Sequence, residues 1–463
     1  MNRYKNLAAN TAILAVGTFS SKILSFIMVF FYSRALTTAE YGVLDIIINT
    51  GALLLPVAML GINNAVVRFG LDTDYNQKDV FTTGILSIAV GFGTLLVVSP
   101  LLALIMDIRQ HIVLMFAYIL MSALRHVCSY FVRSNNRLKL FAIDGVFSTF
   151  MTCLLTLVFL IPLKMGITGY LLAIILADFS SVIFLTVNGN LLGYVKLKGY
   201  NKKLGNQMVA FSLPLIPTSL LWWVINVSDR YFVKYMISAD VNGLYSAAYK
   251  IPTILTLASA VFLDAWQISA VMENKSETRN KFFSEVFATF EGAIFAVAAV
   301  LILVCKFATK CLLAESYYTS WQYIPWLMFA TVFSCFVVFM GNIYLAEKRS
   351  KSTLITTVIG AVLNLVLNYY LIPPLGANGA AVATCASYFA VYAARAIDIK
   401  IRNKDIRFSS FKVLINSLII FAQIYITLNE IHLWQLYSTL CLAAICLINY
   451  KTLINSVKTV LRK

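Results

Sequence analysis

Apolar runs of about twenty residues recur along this chain from Ala8 to Tyr450, and each is long enough to cross a bilayer as a helix. That one feature restricts the fold more than any other. A segment in hydrocarbon must satisfy its own backbone, so only helices and closed barrels span a membrane. Barrel strands read as short alternating segments, whereas these runs are continuous. The expected class is therefore an all-α polytopic membrane protein. Composition agrees: 60% of the 463 residues are apolar and 12% charged. A soluble domain is about 45–50% apolar and about 25% charged.

Fourteen spans can be placed, at 9–34, 42–63, 80–106, 110–132, 140–162, 167–188, 208–235, 241–265, 284–305, 321–345, 353–372, 377–397, 410–428 and 433–450. Arg3 and Lys5 before an apolar run look like the start of a signal peptide. The run from Ala8 to Ala35 is too long for that and lacks a small-residue cleavage site, so it reads as the first span. Cytoplasmic loops of membrane proteins are rich in Lys and Arg. With the N-terminus inside, 28 of the 37 Lys and Arg residues fall in internal segments and seven in external loops. Lys22 and Lys250 lie within spans. Both termini are therefore expected in the cytoplasm. The loop bias also accounts for the net charge of +17, so no nucleic-acid partner is expected.

The chain repeats itself. Setting Gly42 against Gly243 overlays the second span on the eighth. Setting Gly166-Ile-Thr-Gly169 against Gly376-Ala-Asn-Gly379 overlays the sixth on the twelfth, each after a proline-bearing break. Each copy holds six spans, an even number, so the copies are parallel repeats about an axis along the membrane normal. The expected domains are a six-helix bundle at 1–190, a cytoplasmic linker at 191–207, a second bundle at 208–400, and two additional helices with a tail at 401–463. The second copy opens on Trp222–Pro252, where Asp229-Arg230 ends one apolar run and Lys250 interrupts the next.

Charges inside spans are costly and tend to mark a pathway. Asp45, Asn49 and Ala52 share one face of the second span, and the repeat maps them onto Ser246, Lys250 and Thr253. Two related polar stripes of this kind should face an interior cavity. Thr11, Thr18, Lys22 and Ser25 form a third stripe, and Asp178 lies in the sixth span. The candidate cavity residues are Lys22, Lys250, Asp45, Asn49, Ser246, Thr253 and Asp178. Arg34, Asp229 and Arg230, near the ends of their spans, are candidates for a gate or an interfacial anchor. The blander alternative makes Lys22 and Lys250 packing partners of Asp45 or Asp178. Asn364 and Asn368, one turn apart, read as interhelical hydrogen-bonding glue. The eight cysteines and three histidines show no metal-ligand spacing, so no metal is expected. Cys305 and Cys311 flank an external loop and could pair.

Three long stretches carry a resemblance. The segment from Ala8 to Phe69, the segment SDRYFVKYMISADVNGLYSAAYKIP and the segment NLVLNYYLIPPLGANGAAVATCASY together resemble, in order and spacing, the polysaccharide-biosynthesis flippases. These are oligosaccharide–lipid exporters of the multidrug/oligosaccharidyl-lipid/polysaccharide exporter superfamily. The resemblance implies two six-helix bundles around a central cavity that opens alternately to either face. It implies a cargo of oligosaccharide on undecaprenyl diphosphate, flipped to the outer leaflet of a bacterial cytoplasmic membrane, with Lys22 and Lys250 meeting the anionic carrier. Coupling to H+, Na+ or the membrane potential would go with it, and no cofactor. Partners would be the lipid-linked oligosaccharide, membrane lipids, a polysaccharide polymerase and glycosyltransferases. The related lipid II flippases carry several arginines in the first helix, where this chain has Lys22 and then Met28-Val-Phe-Phe.

Two other functions compete. One is a multidrug or cation antiporter of the same superfamily. The other is a polytopic polymerase or ligase, which needs a large external loop with catalytic groups. The longest external loop, Lys306–Ser320, holds one acid, Glu315, so no acid–base pair is available and no catalytic residue is expected.

Overall fold

The computed structural model describes residues 21 and 24–461 apart from 73, 106–108, 197, 199, 275, 348, 407 and 409. Among these residues all regular structure is helical. Twelve helices are long and apolar enough to cross a membrane, and two shorter apolar ones, Leu24–Ala35 and Trp434–Tyr450, complete the set. The protein is a multi-pass membrane protein, as its hydropathy requires. The chain forms two compact units that divide between Trp223 and Val224.

The first unit contains α1 (Leu24–Ala35), α2 (Thr38–Ala58), α3 (Asn63–Gly70), α4 (Gln77–Ile105), α5 (Ile112–Ser134), α6 (Leu138–Leu160), α7 (Gly166–Gly189) and α8 (Lys202–Ser212). Helix α9 (Ile216–Met236) runs across the division. Thr37 starts α2: its hydroxyl accepts from the Glu40 amide while the Glu40 carboxylate accepts from Thr37 N, a reciprocal cap. α7 packs on α5 and α6, and α8 packs on α3 and α4. Met59, Val66, Phe81, Val127, Phe131 and Leu185 fill the centre. The segment after α7 is fastened to the start of α4. Lys196 N donates to Thr82 Oγ1 (2.9 Å), Asn201 N to Asp79 Oδ1 (3.3 Å), and Tyr200 and Thr83 share a hydroxyl bond (3.0 Å).

The second unit holds the rest of α9, then α10 (Ala239–Ala248), α11 (Lys250–Glu273), α12 (Arg279–Leu303), α13 (Cys305–Leu312), α14 (Ile324–Ala346), α15 (Ser350–Leu375), α16 (Ala377–Arg402), α17 (Ser410–Leu428) and α18 (Trp434–Leu461). α14 is its most deeply buried span, packed on α11, α12 and α16. The span placed at 241–265 runs further, since α11 continues to Glu273. Leu263, Trp266 and Ala270 recur at helical spacing on a buried face, and Trp266 stacks on Phe339 at 4.4 Å. The loop predicted around Lys306–Ser320 is instead α13 and a 3-10 helix, Glu315–Tyr323. Cys305 is buried, Cys311 exposed, and both are free thiols. α17 and α18 join α12 through polar side chains inside the bundle. Asn416 donates to Glu291 (3.3 Å), and Gln423 to Ala299 O (2.9 Å) and Ser438 (2.7 Å).

The repeat read from the sequence has local structural counterparts. Ser238, at the position matching Thr37, caps α10 by accepting from Val241 N. Gly166 and Gly376 both open their helices with positive φ, +56° and +59°, a region that favours glycine. Three residues on, Gly169 and Gly379 each leave no room for a Cβ; at Gly379 it would lie 2.1 Å from Leu371 O. These glycines let α6–α7 and α15–α16 close into tight hairpins.

Candidate functional site

α9 delivers a polar group into the second unit. Ile225 and Val233 bury its apolar face, and Asp229 lies on that same face, fully buried. A carboxylate in hydrocarbon is tolerated only with donors around it. Tyr245 Oη (2.8 Å), Tyr249 Oη and Thr384 Oγ1 (3.3 Å) all donate to Asp229 Oδ2, and the Arg230 amide donates to Oδ1 (2.9 Å). Next to this group, Ser228 donates to Asn364 Oδ1 (2.8 Å), and Asn364 Nδ2 donates to Thr384 (3.3 Å). Asn368 donates to Asn364 (2.9 Å), and Tyr388 donates to Asn226. Asn364 and Asn368 are fully buried; Asn364 bonds between helices as its spacing suggested, whereas Asn368 bonds to Asn364 on its own helix. The Asp229 oxygens accept from three hydroxyls and one amide, with the Arg230 guanidinium close by over the ring of Tyr249; a carboxylate held mainly by hydroxyls can exchange a proton or a small cation.

Asp229, a candidate gate or interfacial anchor by its place near the end of a span, is fully buried and so is not an interfacial anchor. α9 runs on to Met236, and α10 and α16 cover Asp229 with Tyr245 and Thr384. Hydropathy placed it near the end of a span but could not show which helices close over it.

The first unit has a differently balanced centre. Arg125 on α5 pairs with Asp178 on α7 (3.2 Å) and Asp144 on α6 (3.7 Å). Ser122 donates to Asp178, Ser181 to Asp144, and Arg125 Nε to Ser181 (3.1 Å). Here one resident guanidinium is shared by the two acids. The partner of Asp178 is thus Arg125, one of the 28 Lys and Arg residues counted above in internal segments. Arg395, counted likewise, lies fully buried in α16, donating to Val337 O (2.7 Å) and Thr356 (3.1 Å). Arg125 and Asp144 were missed as site residues. The signal was present: Arg125, Asp144 and Asp178 are the ionisable residues deepest in their apolar runs, and such charges must pair.

The other candidates fall as follows. Lys22, Thr11 and Thr18 lie outside the described residues. Asp45 and Asn49 are partly buried on α2, with the Asn49 amide donating to Asp45 O (2.8 Å). Ser246 is buried and reaches Asn242 (3.5 Å). Lys250 is the first residue of α11 and partly buried. Thr253 is exposed one turn on, its hydroxyl donating to Tyr249 O (2.9 Å). Arg34 is exposed, folded over the Phe30 ring at 3.4 Å. Arg230 sits over the Tyr249 ring at 4.5 Å. The structure brings Asp229, Arg230 and Thr253 together around Tyr249. Tyr245, Tyr249, Thr384 and Tyr388 are members of the centre that the hydropathy pattern does not single out.

Among the described residues, fourteen apolar helices in two compact units, each with a buried polar centre, are the architecture of a multi-pass membrane protein. The model of the polysaccharide biosynthesis protein family matches residues 7–267, more than half of the chain. This protein belongs to that family. Among solved structures it is similar to the lipid II flippase MurJ in an inward closed conformation, with a TM-score of 0.72, 15% identity, and coverage of 96% of this chain and 99% of that one. It is also similar to an inward-facing multidrug resistance MATE family transporter of the MOP superfamily, with a TM-score of 0.65, 13% identity and coverage of 83% and 96%. A third similar structure is a MOP superfamily transporter from Pyrococcus furiosus, with a TM-score of 0.58, 13% identity and coverage of 84% and 95%. No match to a curated protein was found.

Proposed function

We propose that this protein flips an oligosaccharide carried on undecaprenyl diphosphate from the inner to the outer leaflet of a bacterial cytoplasmic membrane, by alternating access. Membership of the polysaccharide biosynthesis family carries this reading. On it, residues 1–190 and 208–400 are the repeated bundles, both termini lie in the cytoplasm, and the cargo passes from glycosyltransferases to a polymerase. Lys22 and Lys250 meet the diphosphate. A lysine is a compact point charge that suits phosphate without demanding fixed bidentate geometry. A proton or Na+ exchanging at Asp229 drives the return of the empty carrier, because a buried carboxylate favours the state in which a cation neutralises it.

The test is complementation of surface polysaccharide by full-length variants. Lys22→Ala and Lys250→Ala should keep normal protein levels and abolish the polysaccharide, while Lys→Arg retains part of it. Normal polysaccharide in the double alanine variant at normal protein level sinks the cargo role. Asp229→Asn should remove the cation dependence of transport in vesicles.

The second reading is a multidrug or cation antiporter, which the buried carboxylate Asp229 also suits. Drug resistance conferred by expression, without restored polysaccharide in a flippase-deficient strain, would establish it.

A further inference from the structure

A cavity of about 150 Å³ lies beside the Asp229 cluster within the second unit, walled by α9, the α10–α11 junction, α14 and α16. Seven of its lining residues carry hydroxyls, Tyr249, Thr253, Thr256, Thr331, Ser334, Thr384 and Tyr388, beside the Asn226 amide and the apolar Pro252, Leu327 and Ala330. We propose that this cavity is the hydrated passage by which the coupling cation reaches Asp229, and that the Tyr249 hydroxyl is its gate. The inference rests on the coupling role given to Asp229 above.

The lining grades from outside to inside. Asn226, Thr253 and Thr256 are exposed, Thr331 and Ser334 partly buried, and Thr384 and Tyr388 buried. An apolar void of this size stays dry, whereas a polar one takes up water; this cavity has room for roughly five molecules at ~30 Å³ each. Hydroxyls both donate and accept, so they can solvate a moving cation. Two lining residues, Tyr249 and Thr384, are themselves donors to Asp229 Oδ2. They therefore stand between the cavity and the carboxylate.

These two are held differently. Thr384 is fixed from a second side, accepting from Asn364. Tyr249 sits at the break between α10 and α11. The break follows from Pro252, which has no N–H to offer the Ala248 carbonyl one turn earlier. Besides its bond to Asp229, the Tyr249 hydroxyl interacts with the Tyr245 hydroxyl, and its ring lies edge-on to Tyr245 (5.4 Å) and under Arg230 (4.5 Å). A rotation of this side chain at the helix break uncovers Oδ2 towards the cavity without moving a helix.

The experiment reads access to Asp229 directly, on the full-length protein in detergent. A water-soluble carbodiimide with glycine methyl ester labels accessible carboxyl groups, and peptide mass spectrometry follows labelling at Asp229. Tyr249→Phe keeps the ring and removes the hydroxyl; labelling should rise severalfold. Ser334→Leu and Thr331→Leu leave Tyr249 in place and fill the passage; labelling should fall severalfold. Size-exclusion and melting profiles establish that each variant is folded, and a filled variant tests the passage even where Tyr249→Phe fails to fold. Labelling unchanged by both filling substitutions overturns the passage. Labelling unchanged by Tyr249→Phe in folded protein overturns the gate. If labelling follows the expected pattern but transport shows no cation dependence, the coupling role of Asp229 fails while the passage stands.

Discussion

Arg125 and Asp229 answer the same physical problem in two ways. A carboxylate within a membrane-spanning bundle needs compensating charge or donors. Asp144 and Asp178 share one guanidinium, while Asp229 has three hydroxyls and an amide. The difference has consequences for mutation. Arg125→Ala strands two buried acids and should cost about 3–5 kcal/mol, read as lower thermal stability and less folded protein in the membrane. Adding Asp144→Asn and Asp178→Asn to it should recover part of that loss, because the uncompensated charge goes with them. No recovery would mean that Arg125 acts through packing.

At the scale of the element, the α15–α16 hairpin depends on two glycines. Gly376 turns the chain at φ +59° and ψ −147°, a region open essentially to glycine alone, where a side chain costs roughly 1–3 kcal/mol. Gly379 lets α16 approach the Leu371 carbonyl more closely than any Cβ allows. Between membrane helices, packing and hydrogen bonds supply the attraction that water supplies elsewhere, so close approach matters more there. Gly379→Ala should therefore lower the melting temperature more than Gly376→Ala, and more than Gly93→Ala, where a Cβ meets nothing within 4 Å. Equal melting shifts at Gly379 and Gly93 would remove the close-packing account. The same hairpin carries Asn364, Asn368, Thr384 and Tyr388, so a spread hairpin should also weaken the Asp229 network.

For the whole molecule, the charge asymmetry of the loops makes a topological prediction. Reporter fusions after Lys203 and after Lys463 should both report the cytoplasm, and one after Lys310 the exterior. An exterior signal at Lys463 would mean that the spans are miscounted. Arg125 and Arg395 contribute nothing to this bias, since both lie inside helices, Arg125 in an ion pair and Arg395 fully buried. The remaining loop charges carry it.

What the sequence determined by itself is what depends on residues close together along the chain. Hydropathy over about twenty residues sets a helical span. Thr37 and Ser238 cap helices because their neighbours a turn away offer amides. Gly166 and Gly376 mark equivalent turns because φ is a local property. From these follow the helical class, the number of spans, the repeat and the family. The polar centres are different, because their members lie far apart in the chain. Thr384 meets Asp229 across 155 positions, and Arg125 meets Asp178 across 53. Periodicity can show that Asp178 faces inward but not which residue receives it. It placed Asp229 by its distance from the end of a span, whereas burial came from Tyr245 and Thr384 on other helices. A tyrosine in an apolar run reads as core or belt until a carboxylate is found 2.8 Å from its hydroxyl, as at Tyr245. Only packing decides which polar groups meet, because a charge in a low-dielectric bundle is stabilised by what touches it and not by what adjoins it in the chain.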